Sequence, residues 1–368
     1  MGFIKNIVDA TLKTVRRDVP SMVEHGDGEC SGSLSVHTEV HPPLVIPIVG
    51  DQHAIAENET LRVSPVPREP HPDGLSPVPK YVTRDIGPFP GQPKGVDFAS
   101  IDGNRVDFVK LRDAGKVFGY HRASLGTRRD SDYVKRSREA REVRFPLGGY
   151  MFWFAKKDPI AQVRTFLESL EAGWAPRPGD PIPAFDLEFP GNGRIETGLT
   201  ARECIDRANQ AVRFIRSELG VWPLLYTSAR VVHEDLLDRD LGALNECPLW
   251  LARYSNSDPP APHGRALGDF WLHQYRGDTK KIPGLSNQGD LDRFHVFRAD
   301  RDDPRRGWVA DRLGIHREMV DRRGIVPSTD KTLVTEIKKF QRRWALLDDG
   351  VIGPETFRFL AWERPTPL

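Results

Sequence analysis

Residues 183–191 read PAFDLEFPG, and how this stretch is read decides the fold. In an extended chain successive side chains face opposite sides. Ala184, Asp186 and Glu188 therefore share one face, and Phe185, Leu187 and Phe189 share the other. Charged side chains are almost never buried without a partner or a task. An outer Phe–Leu–Phe face with an acidic inner face suits a strand of a closed parallel barrel, whose outside is covered by helices. Pro190 and Gly191 follow Glu188 at once, so the strand ends there and both acids lie at its C-terminal end, the end where barrel sites form.

The surrounding sequence agrees with that placement. From Gly95 to about Phe297 short apolar strands alternate with helical patterns: GVDFAS (95–100), VFGYHRAS (117–124), GGYMFWF (148–154), PIPAFDLEF (181–189), WPLLYTS (222–228), PLWLARYS (248–255) and DFWLHQY (269–275). Asp158-Pro159 is a helix start, with Asp158 as cap and Pro159 in the first turn. Ile160, Val163, Leu167 and Leu170 form that helix's stripe, and Gly173 is placed to close it. Thr200 and Glu203 form a capping box ahead of the stripe Ile205, Ala208, Val212, Ile215 and Leu219. Strand–helix alternation predicts an α/β fold with parallel strands. A modified (β/α) barrel fits better than an open nucleotide-binding sheet, because no GxGxxG or P-loop string occurs.

Three regions are expected. Residues 1–93 form an N-terminal arm: an amphipathic helix over 1–20, a candidate strand at 43–49, and a stretch (63–93) with nine prolines that reads as an extended linker or docking segment. Residues 94–299 form the barrel. Residues 300–368 form a small all-α domain. The chain carries 53 Lys+Arg against 52 Asp+Glu, a net charge of +1, which speaks against a dedicated nucleic-acid binder. The basic residues of 105–144, among them Arg128, Arg129, Lys135, Arg136 and Arg138, read as a solvated helix face. Cys30, Cys204 and Cys247 are too few and too far apart for a disulfide framework or a zinc site, so no metal or other cofactor is expected. No apolar run is long enough for a membrane span. The first residues lack a secretory h-region, so the protein is expected to be held in the producing cell or carried on a particle.

Two carboxyls two residues apart on a strand repel when both are ionised, which raises one pKa. A protonated acid beside an ionised one is the requirement for glycosidic bond cleavage. Further acids lie at Asp97 in GVDFAS and Asp290 in GDLDRF, and aromatics recur at strand ends: Tyr150, Trp153, Tyr226, Trp250, Tyr254, Trp271 and Tyr275. Sugar rings present apolar C–H faces, so aromatics with acids between them form a carbohydrate-site composition; taken alone, the aromatics are better accounted for by core packing.

In this order the segments GVDFAS, YHRASLGTRRDSDY, GGYMFW, FDLE, PLLYTS, PLWLARY and HQYRGD…GDLDRF resemble the glycoside hydrolase family 25 lysozymes, the Chalaropsis-type muramidases. The resemblance implies hydrolysis of the β-1,4 bond from N-acetylmuramic acid to N-acetylglucosamine in bacterial peptidoglycan. It implies Glu188 as general acid, Asp186 as the group that stabilises positive charge or orients substrate, and Asp97 and Asp290 as an acidic floor. Tyr150, Tyr226, Trp250, Tyr254 and Gln274 are implied in sugar binding. Met151 and His273 stand where the family often has His and Trp, which predicts altered sugar subsites.

IKKFQRRWALLDDGVIGPETFRFL (337–360) resembles the helical peptidoglycan-binding domain. There Leu333, Ile337 and Phe340 make a stripe, Asp349-Gly350 a turn, Pro354 a helix start, and Phe357 and Leu360 the packing face. The loop that begins at Asp349 is its expected binding segment. Such a module raises effective substrate concentration. Two modes of use follow from the two resemblances: a phage-type endolysin, or a component of a phage tail or injection apparatus docked through residues 1–93.

Overall fold

The structure, a computed structural model, describes residues 91–189, 198–237, 239–260, 268–299, 301–315 and 331–363. The expected N-terminal helix, the strand at 43–49, Cys30 and nearly all of the proline-rich arm lie outside the described residues.

Eight strands close a barrel: β1 (Lys94–Phe98), β2 (Lys116–Leu125), β4 (Leu147–Phe152), β5 (Ala184–Asp186), β6 (Leu224–Thr227), β7 (Leu249–Ala252), β8 (Leu272–Lys280) and β9 (Gln288–Phe294). A short β3 (Arg128–Arg129) folds back on β2. The pairings from β1 through β2, β4, β5, β6 and β7 to β8 are parallel. β9 runs antiparallel to both β8 and β1 and completes the ring. This is where the barrel departs from an all-parallel one. A parallel pair needs a crossover of a dozen or more residues, whereas β8 and β9 are joined only by residues 281–287.

The alternation read from FDLEF is present in three dimensions. Ala184 faces the barrel interior with Tyr120, Tyr150, Tyr226 and Trp250. Phe185, Leu187 and Phe189 face outward into a cluster with Val163, Phe166 and Ile205. Those last residues belong to the covering helices α3 (Pro159–Trp174) and α4 (Ala201–Leu219). Both helices start as their caps dictate. Asp158 accepts from the Ala161 N–H, and Thr200 and Glu203 bond reciprocally. Gly220, at φ +72°, closes α4. Gly173 does not close α3, which runs on to Trp174. It is a close-approach glycine instead: a Cβ there would stand 2.4 Å from the Ser137 hydroxyl oxygen of α2 (Tyr133–Glu142). Helix α1 (Phe108–Asp113) packs Phe108 and Leu111 on Val96 and Phe98. Cys204 and Cys247 are buried and unbridged. On the basic stretch Arg128, Arg129, Lys135 and Arg138 are exposed, but Arg136 is buried, donating to the Asn104 carbonyl and pairing with Glu139. Among the described residues no helix is long and apolar enough to cross a membrane.

The C-terminal helical unit packs directly on the barrel. Helices α5 (Arg306–Arg312), α6 (Lys331–Arg343) and α7 (Pro354–Leu360) pack their apolar faces into the cluster that fills the N-terminal end of the barrel. Besides its helices the unit has a two-residue strand, β11 (Val351–Ile352), that pairs with β10 (Phe297–Arg298) at the end of the barrel segment. Phe357 lies 4.5 Å, ring to ring, from Trp271 and 5.5 Å from Phe294. Arg305, 1% exposed, donates to the carbonyls of Phe270, His295 and Val296, and its guanidinium lies 4.4 Å over Trp271. A buried cation so fully hydrogen-bonded ties the unit to the barrel base.

Candidate active site

The acids converge at the opposite end, where the parallel strands terminate. Asp97 lies directly across from Asp290 in the β1–β9 pairing. Asp186, the last residue of β5, pairs with Phe152 and Tyr226. Glu188 lies just beyond, where the Leu187 N–H donates to the Tyr226 carbonyl and keeps the chain extended. Asp97, Asp186 and Glu188 line one small cavity with Tyr150, Tyr226, Trp250 and Gln274.

Gln274 organises this floor. Its amide donates to Asp97 (2.8 Å) and Asp290 (3.2 Å), and its carbonyl accepts from the Tyr226 hydroxyl (2.8 Å). Asp290 also accepts from the Asp278 N–H at 2.7 Å. Trp250 donates its indole N–H to Asp292 at 2.9 Å. Two of the three aromatics in the cavity wall, Tyr226 and Trp250, are therefore held by polar contacts as well as by packing. Tyr254 is 48% exposed. Its ring lies over Gly277, where a Cβ would come within 2.9 Å.

So many buried carboxyls cannot all ionise. Burial raises each of them, and their neighbours' charges add to it. Burial, then the charge of Asp97, lifts Glu188 to about 7. Burial, then the charge of Glu188, pushes Asp186 well above the carboxylate range. Asp97 reaches about 7 by burial, restrained by hydrogen bonds from Gln274 and with Asp292. Asp290 and Asp292 are pushed well up, chiefly by burial. Asp102, lifted by burial to about 6, accepts from the Ala99 N–H. The buried Arg122, paired with Asp130, opposes these rises at Asp186 and Asp102. Among the described residues one oxygen of Asp186 has no hydrogen-bond partner. The site thus holds dissociable protons near neutral pH beside an unsatisfied carboxyl oxygen, the pairing that acid-assisted bond cleavage uses.

Most predicted residues meet here, and two do not bear on it as expected. Met151 faces outward among Val163 and Phe166. His273 is fully buried on the outer face of β8, its Nε2 bonded to the Arg253 carbonyl and its Nδ1 accepting from Arg293. Neither touches the cavity, so the expectation of altered subsites from these positions does not hold. Strand parity is the reason: each is one residue out of phase with an inward neighbour, Tyr150 or Gln274. Asp349 lies in the C-terminal unit, accepting from Gln341 and the Val351 N–H; the structure does not bring it to the barrel mouth. Sequence reasoning missed Asp292, Asp102 and Arg122. Asp292 was legible: in GDLDRF it stands two residues after Asp290, the same spacing that coupled Asp186 to Glu188.

Comparison with known proteins adds the following. The family model for glycosyl hydrolases family 25 matches residues 96–285. The uncharacterized protein YegX of Escherichia coli strain K12 is 28% identical over 200 residues, 54% of this chain and 65% of its own length. The chain therefore spans less than two thirds of that relative. A bacterial lysozyme from Streptomyces coelicolor is similar in structure, with TM-score 0.49 and 21% identity over 56% of this chain and 93% of that one. A muramidase from Acremonium alcalophilum gives TM-score 0.48 and 26% identity over 55% and 93%.

Proposed function

The chain belongs to glycosyl hydrolases family 25, and from that premise we propose that it is a peptidoglycan N-acetylmuramidase with Glu188 as general acid. The observation that carries the assignment is the position of Glu188: at the end of β5, in the cavity wall, its carboxyl raised to about 7 by burial and by Asp97. An acid so poised is protonated when substrate arrives and donates to the leaving glycosidic oxygen. The C1–O bond breaks as that oxygen takes the proton. Positive charge then develops at C1 near Asp186, and an adjacent cation lowers a carboxyl pKa. The carboxylate form of Asp186, which that charge favours, stabilises it. Water adds to C1 and returns a proton to Glu188. Gln274, holding Asp97 and Tyr226, keeps the floor in register with the sugar.

Mass spectrometry of products from purified peptidoglycan tests this. New reducing ends on N-acetylmuramic acid support the assignment; ends on N-acetylglucosamine overturn it. Glu188→Gln should lower turnover by at least about a thousandfold, and unchanged turnover would remove Glu188 from its role. We place the enzyme in a phage-type lytic setting, released or carried on a particle. The phage-endolysin resemblance and the arm of residues 1–93 motivate this. Sedimentation of native lysate separates the two: activity that pellets with particles favours a tail or injection-apparatus component.

A further inference from the structure

The basic stretch that the catalytic site leaves unused has a second destination. Arg138 and Arg141 lie three residues apart on α2, hence on one face. Arg144, three further on, continues that edge in a left-handed conformation (φ +56°), which non-glycine residues rarely adopt. All three line a cleft of about 540 Å³ at the barrel base, together with Trp174 and with Arg358 from α7. That volume lies within the range of roughly 300–1,000 Å³ typical of small-ligand sites.

The cleft is built rather than incidental. The Arg141 guanidinium lies 3.5 Å from the centre of the Trp174 ring and pairs with Asp180 at 2.8 Å, which fixes its fork. Among the described residues neither Arg144 nor Arg358 enters a salt bridge. Leu147, Pro176 and Pro181 give the wall an apolar surface. Glu142, exposed at the rim, adds one negative group. Guanidiniums select carboxylates or phosphates. Prolines and leucine suit small methyl side chains, and Glu142 repels a polyanion while accepting an ammonium. That combination describes a short peptide with carboxylates, one amine and alanine-sized side chains.

We propose that this cleft is a second binding site, for a zwitterionic peptide of the kind that hangs from peptidoglycan glycan strands. The identity of the peptide rests on the muramidase reading; the chemistry of the cleft does not. The cleft lies at the N-terminal ends of β4 and β5, away from the acids, so it engages a neighbouring strand of the wall and raises local substrate concentration.

Calorimetric titration of full-length Glu188→Gln protein with a synthetic N-acetyl-Ala–γ-Glu–diaminopimelate–Ala peptide tests the site without any turnover. Arg144→Ala with Arg358→Ala should weaken binding at least about tenfold with an unchanged melting temperature. Arg144→Glu alone, an exposed charge reversal, should act in the same direction if the double variant fails to fold. Amidating the peptide carboxylates should weaken it comparably. Cleavage of stem-free glycan strands by Arg144→Ala, Arg358→Ala protein in the Glu188 background should be unchanged. Equal affinity of the folded variants, equal affinity of the amidated peptide, or stronger binding of a glycerol phosphate polymer overturns the proposal. Peptide binding by a chain that releases no muramic acid ends would instead sink the muramidase reading alone.

Discussion

Phe357→Ala is the substitution that best tests how the chain is put together. Phe357 is 3% exposed and packs against Trp271, Phe294 and Trp308, with ring separations of 4.5, 5.5 and 5.8 Å. Two of those partners stand at the base of the barrel, and one is in α5. Removing a buried phenylalanine side chain costs about 3–5 kcal/mol when its surroundings cannot collapse, a large share of a typical net stability of roughly 5–15 kcal/mol. Trp271 and Phe294 are fixed by strand hydrogen bonds, with the Trp271 N–H donating to the Leu249 carbonyl and the Phe294 N–H to that of Pro93. Collapse around the cavity is therefore limited. At about 2–4 °C per kcal/mol for a domain of this size, the melting temperature should fall by roughly 10 °C. The assay is thermal unfolding followed in parallel by near-ultraviolet circular dichroism and residual glycan-cleaving activity. A single transition shifted alike in both signals is expected. Two transitions, with the loss of activity unmoved, would refute the fusion of the C-terminal unit to the barrel. For the same reason deletion of residues 300–368 should destabilise the barrel and not merely reduce wall binding.

Two further outcomes follow from the acidic floor. Glu188, Asp97 and Asp102 are raised to about 7, 7 and 6, so between pH ~4 and ~7 the folded state binds more protons than the unfolded chain, whose carboxyls titrate near 4. Their contribution to stability is complete below about pH 4 and is lost as pH rises through 7; chemical denaturation at pH 5 and pH 8 checks it, and a higher midpoint at pH 8 contradicts the sign. Gln274→Leu leaves the Tyr226 hydroxyl without its acceptor and removes one of the hydrogen bonds to Asp97, and an unsatisfied buried group costs about 1–3 kcal/mol. It should lower both stability and turnover, and retention of full turnover would show that Gln274 does not set the floor.

Periodicity and local chemistry determine a great deal of this protein. The two-residue alternation of FDLEF assigned the acids inward and the aromatics outward, because side-chain direction on a strand is a property of the backbone itself. Asp158-Pro159 and the Thr200–Glu203 box placed helix starts, because a cap bonds within its own turn. The same rule would have delivered Asp292 had it been applied to GDLDRF. Other features depend on which distant segments meet. The direction of β9 is set by ring closure between β8 and β1. Met151 and His273 turn outward because parity is counted from partners on neighbouring strands. Gly173 packs against Ser137, a contact its own helix does not announce. The C-terminal helices seal the barrel base because Phe357 finds Trp271 and Phe294 there. Alternation and capping are short-range and survive in one dimension. Ring closure, burial and the proton-holding of the acidic floor arise only when side chains far apart in the chain exclude water together.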